Sequence, residues 1–220
     1  MSNQGQPQMV ETGQSLTVDP GQPQAASVDA AVSSLLDKIE ALRIKKGRLL
    51  IAIDGRSASG KTTLAAYLKK TFGCNVIPMD HFFLQPEQRT PERLSEPGGN
   101  VDYERFIEDV LTPILRCEGF SYKPFDCRRQ SFGDTVSIQD NDMTIVEGAY
   151  SCHPRMFEHY DLRVFLSVGP EEQMRRILER NGVERAADFS SKWIPMEESY
   201  FSAFDIKERC DFCVIEERIL

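Results

Sequence analysis

Residues 55–62 of this 220-residue chain read Gly-Arg-Ser-Ala-Ser-Gly-Lys-Thr and match the pattern G-x-x-x-x-G-K-[ST]. Small residues around a lysine let successive backbone N–H groups turn inward on an anion. A helix beginning near Gly60 would add the positive end of its dipole. Lys61 then supplies a point charge for the β- and γ-phosphates of a triphosphate, and the Thr62 hydroxyl offers an oxygen to Mg²⁺. Gly55, Ser57, Ala58, Ser59, Gly60, Lys61, Thr62 and Thr63 are therefore the expected nucleotide-binding residues. Two acids end apolar runs elsewhere: Asp80 after "NVIPM" and Glu147 after "TIV". A carboxylate so placed can take a proton from an attacking hydroxyl or hold a metal ion.

These groups meet only if the chain brings several strand ends to one edge. Apolar runs predict strands at 48–53, 75–79, 143–146, 162–168 and 211–215. Helical spacing predicts helices from Val28 onward, over 60–72, 102–117, 170–180 and 190–204, with Pro113 and Pro195 interrupting the third and fifth. Strands alternating with helices imply an α/β fold: a three-layer sandwich around a mostly parallel five-stranded sheet. Ligands of such sheets lie beyond the carboxyl ends of the strands, where the loop, Asp80 and Glu147 all fall. Residues 82–100, with three prolines and the Gly98-Gly99 pair, read as a long functional loop.

Composition sets the outer limits. Residues 1–27 are rich in Gln, Gly, Pro and Ser and read as a flexible tail, leaving 28–220 as one domain. A net charge of −8 argues against nucleic acid or an acidic membrane as the main partner. No apolar run reaches a membrane span, and the expectation is a soluble cytoplasmic protein. The six cysteines do not suggest a disulfide framework; Cys210 and Cys213 read as buried free thiols beside a late strand rather than a zinc site. His153 and His159 show no ligand spacing and read as surface residues; Trp193 reads as packing. Of Phe82 and Phe83, either one lines a pocket or one is core, and His81 faces either an acceptor or solvent.

The order of several blocks resembles the uridine kinase family of P-loop kinases, which is related to phosphoribulokinase, nicotinamide riboside kinase and bacterial pantothenate kinase. The blocks are "IDGRSASGKTTLA", "VIPMDHFF", "NVDYERF", "YKPFDC", "TIVEGAY" and "VFLSVGPEEQMRRILER". The resemblance implies a kinase using ATP and Mg²⁺ on a small-molecule acceptor, most simply the 5′-hydroxyl of a pyrimidine nucleoside in nucleoside salvage, and it is compatible with a homo-oligomer. It implies Asp80 as general base and acceptor contact, Glu147 with Thr62 as metal ligands, Lys61 and Arg176 as catalytic cations, Arg176 also touching the acceptor, and a short lid between Arg180 and Ser190. Asp102 corresponds to an acid that binds sugar hydroxyls, but it reads equally as the N-cap of the following helix. Phe125 is a substrate-side residue standing where the family carries Tyr, and Gln130 stands where it carries a pyrimidine-reading His. The same reaction on nicotinamide riboside or a pantothenate-like acid, or a nucleotide-binding regulator without turnover, is the alternative.

Overall fold

The computed structural model describes residues 28–216; the expected tail at 1–27 lies outside them. Nine strands are present among these residues: β1 (Leu49–Gly55), β2 (Asn75–Pro78), β3 (Phe120–Tyr122), β4 (Phe125–Asp126), β5 (Ser131–Phe132), β6 (Val136–Ile138), β7 (Met143–Glu147), β8 (Leu162–Val168) and β9 (Phe212–Glu216). Five of them form one all-parallel sheet in the order β2-β7-β1-β8-β9. Parallel neighbours need crossovers, and helices supply them.

Strand alternation sorts β1 between two cores. Leu49, Ile51 and Ile53 pack with Leu35 and Ile39 of α1 (Val28–Lys46) and with Leu64 and Leu68 of α2 (Lys61–Phe72). Leu50 and Ala52 face the opposite layer with Phe82, Phe106, Tyr200 and Phe201. The sheet is thus buried on both faces, which explains why its strands read as continuous apolar runs.

Register then levels the chemistry. Glu147 lies opposite Ile53 of β1 on one side and Pro78 of β2 on the other. Gly55 and Asp80 each stand two residues further along their own chains. The phosphate loop, Asp80 and Glu147 therefore leave the sheet at one height.

Both prolines expected to break helices sit in continuous helical runs. Pro113 follows a π-segment at Ile107–Leu111, and Pro195 follows another at Phe189–Trp193. A π-turn widens the helix just where proline lacks its N–H and crowds the preceding carbonyl, so the run bends into a bulge instead of splitting. The long loop is also more ordered than its composition suggested. Arg93 donates to Gly99 O at 2.9 Å, Val101 O at 2.9 Å and the Tyr103 hydroxyl at 2.8 Å, and pairs with Glu104 at 2.7 Å.

Candidate active site

The phosphate loop runs from β1 into α2. Gly60 is the residue before the helix and takes φ +94°, and Ala58 also sits at positive φ, 62°. Gly55 is required for another reason: a Cβ there would lie 1.9 Å from Leu166 O of β8. Its lack of a side chain lets two backbones approach, not a phosphate. Ser59 Oγ is buried without a hydrogen-bond partner, so the loop carries an orphaned hydroxyl that an anion could satisfy. Lys61 is buried, and its Nζ donates to Gly55 O and Arg56 O, both at 2.8 Å.

Thr62 Oγ1 lies 3.2 Å from each carboxylate oxygen of Glu147. Burial raises the Glu147 pKa, the charge of Asp80 raises it further, and Lys61 and Thr62 oppose the shift. A hydroxyl and a carboxylate are hard oxygen donors suited to Mg²⁺, which takes only one or two protein ligands and completes its shell with phosphate and water. Among the described residues no cluster of three His, Cys, Asp or Glu could hold a metal alone. Asp80 is exposed on the 3₁₀ turn Met79–Phe82. A Cβ on Gly148 would lie 3.6 Å from Asp80 Oδ1 and 2.9 Å from Met79 Cβ, so glycine after Glu147 lets the two acid-bearing strand ends come together.

Ala58, Ser59, Gly60, Lys61, Thr62, Asp80, Glu147 and Gly148 line one cleft of about 780 Å³, shared with Phe83, Leu84, Arg89, Asn100, Phe125–Arg128, Tyr150, Arg176, Arg180, Trp193 and Glu197. Arg176, on the helix Pro170–Asn181, donates to Glu172 Oε1 at 2.8 Å and to Ala58 O at 3.3 Å. Phe82 is core while Phe83 lines the cleft. Phe125 meets Phe132 edge to face across the short β4–β5 hairpin.

Other expected residues are placed elsewhere. Asp102 is buried away from the cleft. Its Oδ1 accepts from Arg105 N at 3.0 Å as a helix N-cap, and its Oδ2 accepts from Gln88 Nε2 at 2.9 Å. Gln130 is exposed at φ 53°, its amide turned onto Cys127 O. His81 is half-buried, with Nδ1 3.0 Å from the Tyr122 hydroxyl, and burial lowers its pKa. Trp193, read as packing, is only partly covered and faces the cleft. Cys213 is exposed, not buried, and Cys210 lies 4.0 Å from the buried Cys152 as a free thiol.

His153 is likewise no surface residue. It is buried and stacks on Tyr103 at 4.4 Å and against Tyr200 at 6.4 Å. Burial first, then Arg93 and Arg155, lowers its pKa from 6.5 to about 4. The fold holds the ring neutral while the unfolded chain protonates below about pH 6.5, so stability is full above that pH and is lost as pH falls towards 4. The expected loss is about 2 kcal/mol at pH 5. Urea unfolding between pH 7 and 4.5 checks it: His153→Gln should show a flatter dependence than the wild type, and parallel curves would refute the assignment.

Two residues escaped the sequence reading. Asp54, fully buried, accepts from Gly55 N at 2.7 Å, Tyr150 N at 3.1 Å, Cys152 N at 2.8 Å and the Tyr200 hydroxyl at 2.9 Å. Burial raises its pKa and these donors oppose the rise. The available signal was an acid inside an apolar strand. Glu197, on the helix Ile194–Ala203, accepts from Ser57 N at 2.9 Å and from the Ser57 hydroxyl. Its neighbour Glu198 pairs with Arg56 at 2.7 Å, and Gln173 donates to Ser57 O at 3.1 Å. Helical spacing alone gave no hint that consecutive glutamates would grip consecutive loop residues.

A five-stranded parallel sheet of this order, with a glycine-rich phosphate loop between its first strand and first crossover helix, defines a P-loop fold. The uridine kinase of Ureaplasma parvum serovar 3 is 27% identical over 155 residues, 66% of this chain and 75% of that protein. The uridine kinase of Clostridium perfringens is 24% identical over 156 residues, 66% and 74% of the two chains. A solved structure from Bacillus stearothermophilus, described as a possible uridine kinase, superposes with a TM-score of 0.61 at 22% identity, covering 86% of this chain and 99% of that one. No protein-family model matches. The chain is uridine-kinase-like in sequence and has a P-loop kinase fold.

Proposed function

We propose that this protein is an ATP- and Mg²⁺-dependent phosphotransferase that moves the γ-phosphoryl group to a primary hydroxyl of a small acceptor. One observation carries the reading: Asp80, Glu147 and the loop residues 57–63 line a single cleft at one edge of the sheet. The loop amides and Lys61 bind the phosphates, with Lys61 exchanging two carbonyls for phosphate oxygens. Thr62 and Glu147 would hold Mg²⁺, whose charge would help neutralise that of the phosphates. Asp80 takes the proton of the acceptor hydroxyl as it attacks. Arg176 already touches the loop at Ala58 O and stabilises charge spreading over the transferring group.

The relatives' name makes a pyrimidine nucleoside the first acceptor to test. A second reading, the same transfer to another small alcohol such as nicotinamide riboside or a pantothenate-like acid, is favoured by Phe125, which lacks a hydroxyl, and by Gln130, which turns away from the cleft. The test is ADP release from ATP and Mg²⁺ across a panel of nucleosides and small alcohols. Stimulation by at least one of them supports a kinase; a background rate with every acceptor, despite nucleotide binding, supports a regulator without turnover. Among the described residues no helix is long and apolar enough to cross a membrane, and a soluble cytoplasmic location belongs to the same proposal.

A further inference from the structure

The cleft wall on the acceptor side carries positive charge that phosphate transfer itself does not use. Arg89 Nε and Nη2 both donate to Leu84 O, at 3.0 and 2.8 Å, and Nη2 lies 3.9 Å from Cys127 Sγ. Those bonds fix the plane of the guanidinium without neutralising it. Among the described residues neither Arg89 nor Arg128 has a carboxylate within ion-pair distance, although both line the cleft. Asp126, next in line, is committed: it accepts from Arg128 N at 2.7 Å and Arg129 N at 3.2 Å, and its ion pair is with Arg129.

The chain has 34 acidic residues against 26 Lys and Arg. Arg48, Arg56, Arg93, Arg105, Arg163 and Arg175 each find a carboxylate, whereas among the described residues Arg89 and Arg128, like Arg116, Arg155, Arg180 and Arg185, do not. Orienting a long cationic side chain costs rotamer entropy, which an anion arriving in the cleft would offset. The neutral readers of a nucleobase are missing from the same wall, since Phe125 offers only a ring and Gln130 faces outward. One uncharged group does await a partner there: Asn100 Oδ1 is buried, lacks a hydrogen bond and belongs to a cleft-lining residue.

Resting on the kinase reading above, we infer that the acceptor is a small hydroxylated anion whose carboxylate or phosphate is received by Arg89 and Arg128, with Asp80 at its reacting hydroxyl. The two guanidiniums act as specificity determinants, and Asn100 Oδ1 is free to accept from a second hydroxyl.

The test uses the full chain with Mg²⁺ and the β,γ-imido analogue of ATP, so that the phosphate loop is already occupied. Glycerate, glycerol 3-phosphate, glycerol and uridine are titrated in turn, followed by calorimetry and by the fluorescence of Trp193, the chain's single tryptophan and a cleft residue. The expected result is half-saturation by glycerate or glycerol 3-phosphate at a concentration at least about tenfold below glycerol and uridine. Which of the two binds separates a carboxylate from a phosphomonoester. The double variant Arg89→Ala/Arg128→Ala should lose the preference while still binding the ATP analogue. No preference for charge, silence of both anions, or a preference that survives in the double variant overturns the inference. The kinase reading fails separately if the preferred anion binds the wild type yet draws no ADP from ATP.

Discussion

Asp80→Asn should lower turnover by roughly 10²–10⁴-fold while nucleotide affinity stays nearly constant. The amide keeps the shape and one acceptor oxygen but cannot take a proton. Nothing else in the arrangement replaces it: Glu147 is committed to the Thr62 hydroxyl, and His81 pairs with Tyr122 outside the cleft. Asp80 stands exposed at the strand end, so its replacement disturbs no packing. Steady-state rates with the best acceptor, beside an ATP-analogue titration, make the comparison. Turnover equal to wild type would remove Asp80 from the chemistry and send the search for a base elsewhere in the cleft.

Asp54→Ala should cost about 3 kcal/mol or more in stability, lowering the melting temperature by roughly 6–12 °C. The loss comes from the donors left behind. Three backbone N–H groups and the Tyr200 hydroxyl converge on this carboxylate in a space with no access for water. Tyr200→Phe removes one donor rather than the shared acceptor and should cost only about 1 kcal/mol. Chemical denaturation of both variants checks the contrast. Equal losses would mean that ring packing, not the carboxylate, holds the strand end to the turn after β7.

Much of this was legible in the residues, for identifiable physical reasons. The central strands β1, β7 and β8, covered on both faces, are near-continuous apolar runs, and the shorter edge strands keep enough apolar residues that all five could be placed, and with them the edge where Lys61, Asp80 and Glu147 emerge. A phosphate loop declares itself because its chemistry needs small residues at fixed spacing. What stayed hidden depends on contacts distant in sequence. β4 and β5 are two residues each and exist only by pairing with one another, so the wall bearing Phe125 and Arg128 left no periodic trace. Asp102 carried two readings that local sequence cannot separate; the bonds from Arg105 N and Gln88 Nε2 place it as a cap. His153 looked like a surface residue because nothing nearby announces that Tyr103 and Tyr200 will enclose it. The prolines misled for a related reason, since a π-bulge depends on the turn ahead of the ring and not on the ring alone.

The grip of Gln173, Arg176, Glu197 and Glu198 on residues 56–58 has a mechanical outcome. The stretch between the two helices, 182–193, is moored at both ends to the nucleotide's own cradle. It cannot swing as a rigid flap without dragging the cradle along, so enclosing an acceptor comes down to flexing within that stretch. Amide exchange should accordingly be fast over 182–193 and slow over 170–177 and 196–203 in the same protein; uniform exchange across all three would show that the moorings slip.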